Sequence, residues 1–333
     1  MALAELGNAP AGQRRSQRKS VGLPRFTAGC EVSTMADAVN LTIVQFQPKK
    51  GDYKGNLLRF EQLFESLVNI DVRPDVIAFS ETVLTGYFVE GGVRDVALPV
   101  TTFANDLNAA FRARCSGQVD VVAGFYELHE NTYFNSALYV TLGGDEPVIA
   151  HVHRKVFLPT YGLFDEERFV EHGLGVRAFD TRWGRAAILI CEDAWHAVTA
   201  VAAALDGAQI IFVPSASPAR GAWPQPDEEL RGPASMHRWE RLARDRAEEH
   251  GVFVALIQLT GNEGGKAFPG GSVVTGPHGD VRVRAPLWEE ASIAVTLDLG
   301  DITRARASSP LLADLRTMLP HMLRSIERAG ERE

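Results

Sequence analysis

The fold is constrained most by a short apolar run that ends at a cysteine. Residues 186–190 read Ala-Ala-Ile-Leu-Ile, Cys191 follows with two acidic residues, and residues 198–205 have a helical pattern. Five apolar residues are too few for a lone helix, so we predict a buried strand, a sharp turn and a helix. A thiol at such a turn lies near the first free N–H groups of the helix, which favours thiolate and oxyanion chemistry. Cys191 is therefore a candidate nucleophile, and the competing interpretation is a buried cysteine that packs as a small hydrophobe.

Length and composition narrow the class of protein. The chain has 333 residues and a formal net charge of -8, which fits one large α/β domain or two small ones and argues against nucleic acid as the partner. No apolar run approaches the roughly 20 residues that span a bilayer, so we expect no membrane partner. Three cysteines, Cys30, Cys115 and Cys191, offer neither a disulfide framework nor metal-ligand spacing. We therefore predict a cytoplasmic protein without a bound metal.

The chain divides into three parts by its pattern. Residues 1–37 carry basic residues among Gly, Pro, Ser and Gln without apolar periodicity, so we predict a flexible tail. The tail lacks the apolar stretch of about 7–15 residues that a secretory signal requires. We expect one folded domain at 38–305, followed by a C-terminal helix and tail at 306–333.

Short apolar runs alternate with segments of helical period through the folded part. Strands are predicted at 41–46, 76–79, 119–125, 136–142, 148–152, 186–190, 209–213, 252–259, 272–274 and 293–297. Helices are predicted at 56–68, 103–111, 198–205, 234–250 and 311–326. The neighbouring strands at 119–152 predict antiparallel hairpins. The alternation indicates sheets covered by helices in a layered α/β domain, and the long loop 217–233 is expected to border a site.

Two charged residues join Cys191 as candidates because they also follow strands. Glu81 comes just after the strand 76–79, and Lys155 opens the loop after the strand 148–152. Either residue alone is more simply a solvated charge at a strand end, but three such positions together predict a site. The chemistry that fits is acyl transfer, with Glu81 as acid and base and Cys191 as nucleophile. Lys155, with the backbone N–H of Glu192, would stabilise the oxyanion.

These residues carry a resemblance to a known family. The segments Ser80-Glu81-Thr82, His153-Arg154-Lys155 and Ile190-Cys191-Glu192-Asp193 resemble the Glu-Lys-Cys motifs of the nitrilase (carbon–nitrogen hydrolase) superfamily. Within it, 158–169 and 190–195 are most similar to the glutamine-hydrolysing domain of NAD synthetases. The resemblance covers about 41–299 and implies a four-layer αββα sandwich, an amide substrate, a homodimer and no cofactor.

The same resemblance assigns further site residues. Glu166 matches the second glutamate that supports the lysine and the cysteine, while Tyr87 and Tyr161 match pocket tyrosines. Additional candidates for the pocket wall are Glu192, Trp195 and Ser217.

The chain also departs from the families it resembles. It has no Gly-rich phosphate loop and no length for an ATP-binding domain, so we do not expect a complete synthetase. Residues 215–221 read Ser-Ala-Ser-Pro-Ala-Arg-Gly, where the synthetases carry an Asn and a Gly-Lys pair. Glu192 follows the cysteine where nitrile-hydrolysing members carry a tryptophan, which favours an amide over a nitrile.

Four alternatives remain open at this point. His196 could pair with Cys191, although on a helix it would point away from the turn. His151 and His153 could share a strand face as metal ligands, although polar surface is the simpler interpretation. The chain could bind an amide without hydrolysing it, or it could be a stand-alone glutaminase that supplies ammonia to a separate synthetase.

Overall fold

Two six-stranded sheets form from the apolar runs of the sequence. The computed structural model describes residues 38–69, 72–87, 92–162, 164–221 and 232–331. Strands β1 to β14 are, in order, Ala38–Gln45, Val76–Phe79, Val119–His129, Thr132–Leu142, Val148–Arg154, Ala178–Thr181, Gly184–Ile188, Ile210–Ser215, Phe253–Gln258, Thr260–Glu263, Lys266–Pro269, Val273–Thr275, Val281–Arg284 and Ala291–Asp298. Helices α1 to α7 are Tyr53–Val68, Val93–Val96, Val100–Arg112, Ala197–Leu205, Ala234–His250, Gly300–Ser308 and Leu311–Gly330. Two 3-10 helices lie at Glu166–Arg168 and Cys191–Trp195.

The two sheets have the same internal arrangement. The first has the order β14-β1-β2-β3-β4-β5, and the second has the order β13-β12-β9-β8-β7-β6. In each sheet three central strands are parallel, namely β1, β2 and β3 in the first and β7, β8 and β9 in the second. The outer strands are antiparallel, which includes the predicted hairpins β3-β4 and β4-β5. Loops that follow parallel strands meet at one edge of a sheet, which is where α/β folds collect functional groups.

Alternating residues of the strands face two different cores. In β2, Val76 and Ala78 belong to the core shared with the second sheet, whereas Ile77 and Phe79 pack with aromatic residues of α1 and α3. This two-residue period is that of a strand with both faces buried. On the second sheet, α4 and α5 contribute alanines and Trp239 to the shared cluster. The layers run helix, sheet, sheet, helix, so the expected αββα sandwich is confirmed.

Several elements were missed or shifted in the sequence-based prediction. The hairpin β10-β11 was missed because it carries polar residues around Gly264 and Gly265. The short strands β6 and β13 and the helices α2 and α6 were also missed. A 3-10 turn stands between Cys191 and α4, where a direct strand-to-helix turn was expected. The expected domain end at residue 305 falls inside α6.

Some expectations concern features beyond these elements. The predicted tail 1–37 lies outside the described residues, as do Cys30 and most of the loop 217–233. In the described part of the chain, every helix is too short or too polar to cross a membrane. The homodimer and the cytoplasmic location stay predictions.

Candidate active site

Glu81 lies in a tight turn at the carboxyl end of β2. Its side chain is fully buried, and Thr82 after it has a positive φ of 46°, which is uncommon for a residue with a branched side chain. Gly124 of β3 accepts a hydrogen bond from the backbone N–H of Val83 at 3.0 Å. The neighbouring strand therefore holds the Glu81 turn in place.

Lys155 follows β5 and extends into the protein interior. Its Nζ atom lies 2.9 Å from Oε1 of Glu81 and 2.8 Å from Oε1 of Glu166, and its side chain is fully buried. Burial alone would lower the pKa of Lys155, but the charges of Glu166 and Glu81 raise it well above its usual value. Asn135 donates a hydrogen bond from Nδ2 to the same Glu81 oxygen at 2.7 Å. The lysine is thus a fixed cation between two carboxylates.

Glu166 stands at the start of a 3-10 helix in the loop after Lys155. The hydroxyl of Tyr87 donates a hydrogen bond to its Oε1 atom, and Tyr126 in turn donates to the carbonyl of Tyr87 at 2.6 Å. Burial raises the pKa of Glu166 to about 7, against the charge of Lys155 and with the help of Glu81. Glu166 and Glu81 therefore both bind the ammonium group of Lys155, and the pKa of Glu166 is close to neutrality.

Cys191 lies beyond the end of β7, beside the end of β8. It has a positive φ of 45° and is only 7% exposed. Burial, followed by the charge of Glu81, raises the pKa of the thiol well above its usual value, although Lys155 and a hydrogen bond from the Ala216 backbone act in the opposite direction. Burial therefore opposes the thiolate that the turn was expected to favour. The thiol needs a base to ionise.

Glu81 retains one carboxylate oxygen for that purpose. Its Oε1 atom binds Asn135 and Lys155, whereas Oε2 is buried and has no hydrogen-bond partner among the residues that the structure describes. A buried acceptor without a partner is costly and usually marks a functional or strained site. Because the charge of Glu81 acts on the Cys191 thiol, this oxygen is the candidate proton acceptor.

The sequence analysis missed a buried contact between Asp193 and His153 that joins the two key loops. Asp193 Oδ2 lies 2.8 Å from Nε2 of His153 and accepts the Ile190 backbone N–H at 3.0 Å. Its Oδ1 atom accepts the N–H groups of Val156 and Phe157, both at 2.9 Å. Asp193 therefore ties the cysteine turn to the lysine loop. The sequence carried a signal for this contact, because His153 lies two positions before Lys155 and Asp193 lies two positions after Cys191.

The predicted pocket residues occupy different environments. Tyr161 donates a hydrogen bond at 2.9 Å to Oε2 of Glu192, the residue after Cys191. The backbone N–H of Ser217 donates to Gln258 at 3.2 Å. Trp195 is 37% exposed and packs edge to face against Trp239 of α5. The structure thus brings Tyr161 and Glu192 to the cysteine, while Trp195 contacts the helix layer.

The histidine alternatives are not supported by the contacts. The ring of His196 stacks on Phe157 at 3.7 Å, and its Nε2 atom lies 3.9 Å from Glu192. His153 is buried and hydrogen-bonded to Asp193, and His151 stacks on Phe179 at 4.5 Å. The interpretation of His153 as polar surface is wrong, because an adjacent carboxylate stabilises it inside the protein. No group of three potential metal ligands occurs among the described residues.

The chain is similar in sequence to several known proteins. Residues 40–307 match the carbon-nitrogen hydrolase family. The chain is 30% identical over 285 residues to an (R)-stereoselective amidase from Pseudomonas sp, which covers 84% of this chain and 93% of the amidase. It is 29% identical to the glutamine-dependent NAD(+) synthetase of Aquifex aeolicus, covering 84% of this chain and 45% of the synthetase. The chain thus spans about half the length of the NAD(+) synthetases that it matches.

A solved structure with the same fold supports the sequence match. A carbon-nitrogen hydrolase from Helicobacter pylori G27 superposes with a TM-score of 0.72 at 24% identity, covering 86% of this chain and 98% of that one. The family match extends over most of the chain and includes the Glu81, Lys155 and Cys191 segments. The chain therefore belongs to the carbon-nitrogen hydrolase family, and its assignment to the hydrolases of non-peptide carbon–nitrogen bonds is confirmed.

Proposed function

We propose that the chain is a cysteine-dependent amidohydrolase that cleaves a small-molecule carboxamide through a thioester. The observation that carries the proposal is the buried cation Lys155, held by Glu81 and Glu166 within electrostatic reach of the Cys191 thiol. A protonated thiol, a carboxylate with a free oxygen and a fixed ammonium are the three groups that acyl transfer to sulfur requires. The likeness to an amidase supports an amide as the substrate.

The first half of the proposed cycle forms the thioester. Glu81 takes the thiol proton as Cys191 Sγ bonds to the amide carbonyl carbon, and the carbonyl oxygen becomes an oxyanion. Lys155 Nζ has a third N–H, besides those directed at the two glutamates, to donate to this oxyanion. Glu192, as the second residue of a 3-10 helix, presents a backbone N–H to the same side. Glu81 then protonates the amide nitrogen, the C–N bond breaks, and ammonia or an amine leaves.

The second half releases the acid by the same groups. Glu81 takes a proton from water as the water oxygen bonds to the thioester carbon. The tetrahedral intermediate collapses with cleavage of the C–S bond, and Glu81 returns the proton to the sulfur. Glu166 binds no reacting atom in this cycle, and its role is to hold Lys155 in position.

The proposal is tested by ammonia release from a panel of compounds. The panel contains glutamine, asparagine, short aliphatic amides, an aromatic amide, an N-carbamoyl amino acid and a nitrile. We expect Cys191→Ala to lower turnover of the best substrate by at least about 10³-fold, as loss of a nucleophile does. Cys115→Ala is the matched control, because Cys115 is the other described free cysteine and packs against the apolar cluster formed with α1 and α3. Mass spectrometry of acid-quenched enzyme should detect an acyl adduct in the wild type that is absent in Cys191→Ala.

Each outcome of the panel has a distinct meaning. Activity that survives in Cys191→Ala contradicts the mechanism. Strict preference for glutamine, with stimulation by an added synthetase, would make the chain a stand-alone glutaminase. Binding of an amide without turnover by the wild type would make it a non-catalytic member of the family.

A further inference from the structure

Arg220 is a guanidinium fixed beside the candidate active site by aromatic rings and backbone contacts. It lies in the loop after β8, three residues beyond Ser217. Its guanidinium carbon stands 4.5 Å from the centre of the Phe164 ring and 5.8 Å from that of Tyr161, distances typical of cation–π contacts. The backbone of Arg220 is fixed as well. Its N–H donates to the Ser235 hydroxyl at 3.1 Å, and its carbonyl accepts the Ser235 N–H at 3.1 Å. The side chain is therefore presented from a rigid base.

One nitrogen of the guanidinium, the buried Nη2 atom, has no hydrogen-bond partner in the part of the chain that the structure describes. Arg154 and Arg284, by contrast, each make a two-point contact with a glutamate. A buried guanidinium nitrogen of this kind costs free energy, because no group among the described residues replaces the hydrogen bond that it loses to water. The cost is explained if a ligand supplies the anion.

The position of Arg220 places that anion next to the reacting groups. The Tyr161 ring under the guanidinium carries the hydroxyl that donates to Glu192, the residue after Cys191. Burial raises the pKa of Tyr161 to about 12, and Cys191 adds to this effect while Arg220 opposes it. The ring that contacts Arg220 therefore also carries the hydroxyl that binds the residue next to Cys191. Phe164 is the second ring that contacts Arg220, and it packs against Tyr87 with ring centres 6.0 Å apart. Tyr87 in turn binds Glu166.

We infer that Arg220 binds a carboxylate on the substrate, so that the enzyme prefers amides with an acidic group a few carbon atoms from the scissile bond. A guanidinium offers two parallel N–H groups that match the two oxygens of a carboxylate. With the carboxylate on Arg220, the amide end of a short molecule extends along the Tyr161 ring toward Cys191. The inference rests on the proposed amidohydrolase function and specifies its substrate class.

The test compares pairs of amides that differ only in charge. Malonamate, succinamate and glutaramate are each paired with the amide in which an isopropyl group replaces the carboxylate, such as 4-methylpentanamide for succinamate. We expect the wild type to prefer the acidic member of at least one pair in kcat/KM. Arg220→Gln should reduce that preference by about 10- to 100-fold, the range for a lost hydrogen bond to a charged group, mainly through KM. Arg220→Lys should restore part of it. The ratio within each variant cancels any general loss of folding or activity.

Control and binding measurements separate this inference from the proposed function. Arg112→Gln removes the same charge from the end of α3, where Arg112 pairs with Asp145, and should leave the ratio unchanged. Calorimetric binding of the three acids is measured in Cys191→Ala, with and without Arg220→Gln, so that no turnover is needed. Binding to Cys191→Ala that depends on Arg220, together with a wild type that turns over none of these compounds, would support the carboxylate site and contradict the hydrolase. Turnover with a ratio and an affinity that Arg220→Gln leaves unchanged would overturn the carboxylate site alone.

Discussion

At the residue scale, the site consists of three charged side chains, of which Lys155 and Glu81 are fully buried and Glu166 is partly buried. Lys155 carries a positive charge in a place without solvent, and Glu81 and Glu166 both point an oxygen at it. Breaking a buried pair by removing one partner costs about 3–5 kcal/mol, since the other charge stays unpaired. Two carboxylates on one ammonium leave an excess negative charge, and this is eased by protonation of Glu166, whose pKa burial raises to about 7.

Glu166 should set the acidic limb of the pH profile. Its ionised form holds Lys155, so kcat/KM of the wild type should rise as the pH increases from 6 to 8, with a midpoint near 7. Glu166→Gln should lower kcat/KM by about 10- to 100-fold, because a charge-assisted hydrogen bond is lost, and should remove this limb. The measurement is kcat/KM against pH for both proteins.

Stability provides an independent check on the sign of this effect. The pKa of Glu166 is higher in the folded protein than its ordinary value of 4.5, so its contribution to stability is present below pH 4.5 and is lost as the pH rises through about 7. Activity and stability should therefore change in opposite directions over this interval in the wild type, and this opposition should be absent in Glu166→Gln. The control is Glu65→Gln, which removes an exposed carboxylate on α1. An unchanged limb in Glu166→Gln would exclude Glu166 as its source.

At the element scale, the site depends on how strand ends are turned. Thr82 and Cys191 both have φ near 45°, and such strained positions persist only where the surrounding structure enforces them. The turn at Glu81 is enforced by β3, where Gly124 also donates its N–H to the carbonyl of Ser80 at 3.2 Å. The turn at Cys191 is enforced by the Asp193 carboxylate, which binds backbone groups on both sides of the site.

Gly124→Ala should damage the site through the backbone. A Cβ atom at this position would lie 2.7 Å from the Glu81 Cα and from the Thr82 nitrogen, so the Glu81 turn has to move. We expect kcat to fall at least about 10-fold, since small displacements of a catalytic group are costly, and stability to fall by about 1–3 kcal/mol. Steady-state kinetics and urea unfolding measure the two effects.

The matched substitution is Gly175→Ala. A Cβ atom at Gly175 would contact nothing within 4 Å, so both measurements should stay at the wild-type values. If Gly124→Ala behaved like Gly175→Ala, the close contact between β3 and the Glu81 turn would not matter for activity.

At the scale of the whole molecule, polar contacts connect the two sheets at the end away from the site. Asp120, near the start of β3, accepts hydrogen bonds from Tyr139 at 2.9 Å within its own sheet. It also accepts from Arg182 at 2.8 Å and from Trp183 at 3.0 Å, which lie in the turn between β6 and β7 of the second sheet. Asp120 is fully buried. The apolar interface between the sheets is therefore closed at this edge by one carboxylate.

Asp120→Ala should lower stability without changing the chemistry. Arg182 and the two aromatic donors would lose their common acceptor, so we expect the free energy of unfolding to fall by about 3–5 kcal/mol. Because Glu81 and Cys191 follow the opposite ends of the strands, kcat below the melting transition should stay within about twofold of the wild type. Denaturant unfolding and kinetics at low temperature measure both, with Asp145→Ala, whose side chain is fully exposed, as the control. A large fall in kcat would mean that the sheet contact and the site are coupled.

Much of the fold followed from local patterns. The strand at 76–79 was predicted with the observed limits, as was the helix at 234–250, which ends at Gly251 with a φ of 57°. Both segments combine a clear period with clear ends. The polar hairpin β10-β11 escaped because its strands carry little apolar signal, and its pairing comes from backbone hydrogen bonds that composition does not reveal.

The sequence by itself determined the layered α/β class and the three strand-end residues Glu81, Lys155 and Cys191, since period and position along the chain are local properties. The αββα arrangement was implied by the family resemblance. Only the tertiary structure decided how those residues are charged. Burial raises the pKa of the Cys191 thiol instead of lowering it, and the Asp193–His153 pair and the cation at Arg220 acquire their meaning from neighbours far away in the chain. The physical reason is that desolvation and charge–charge interaction depend on distances across the fold, and no run of adjacent residues encodes those distances.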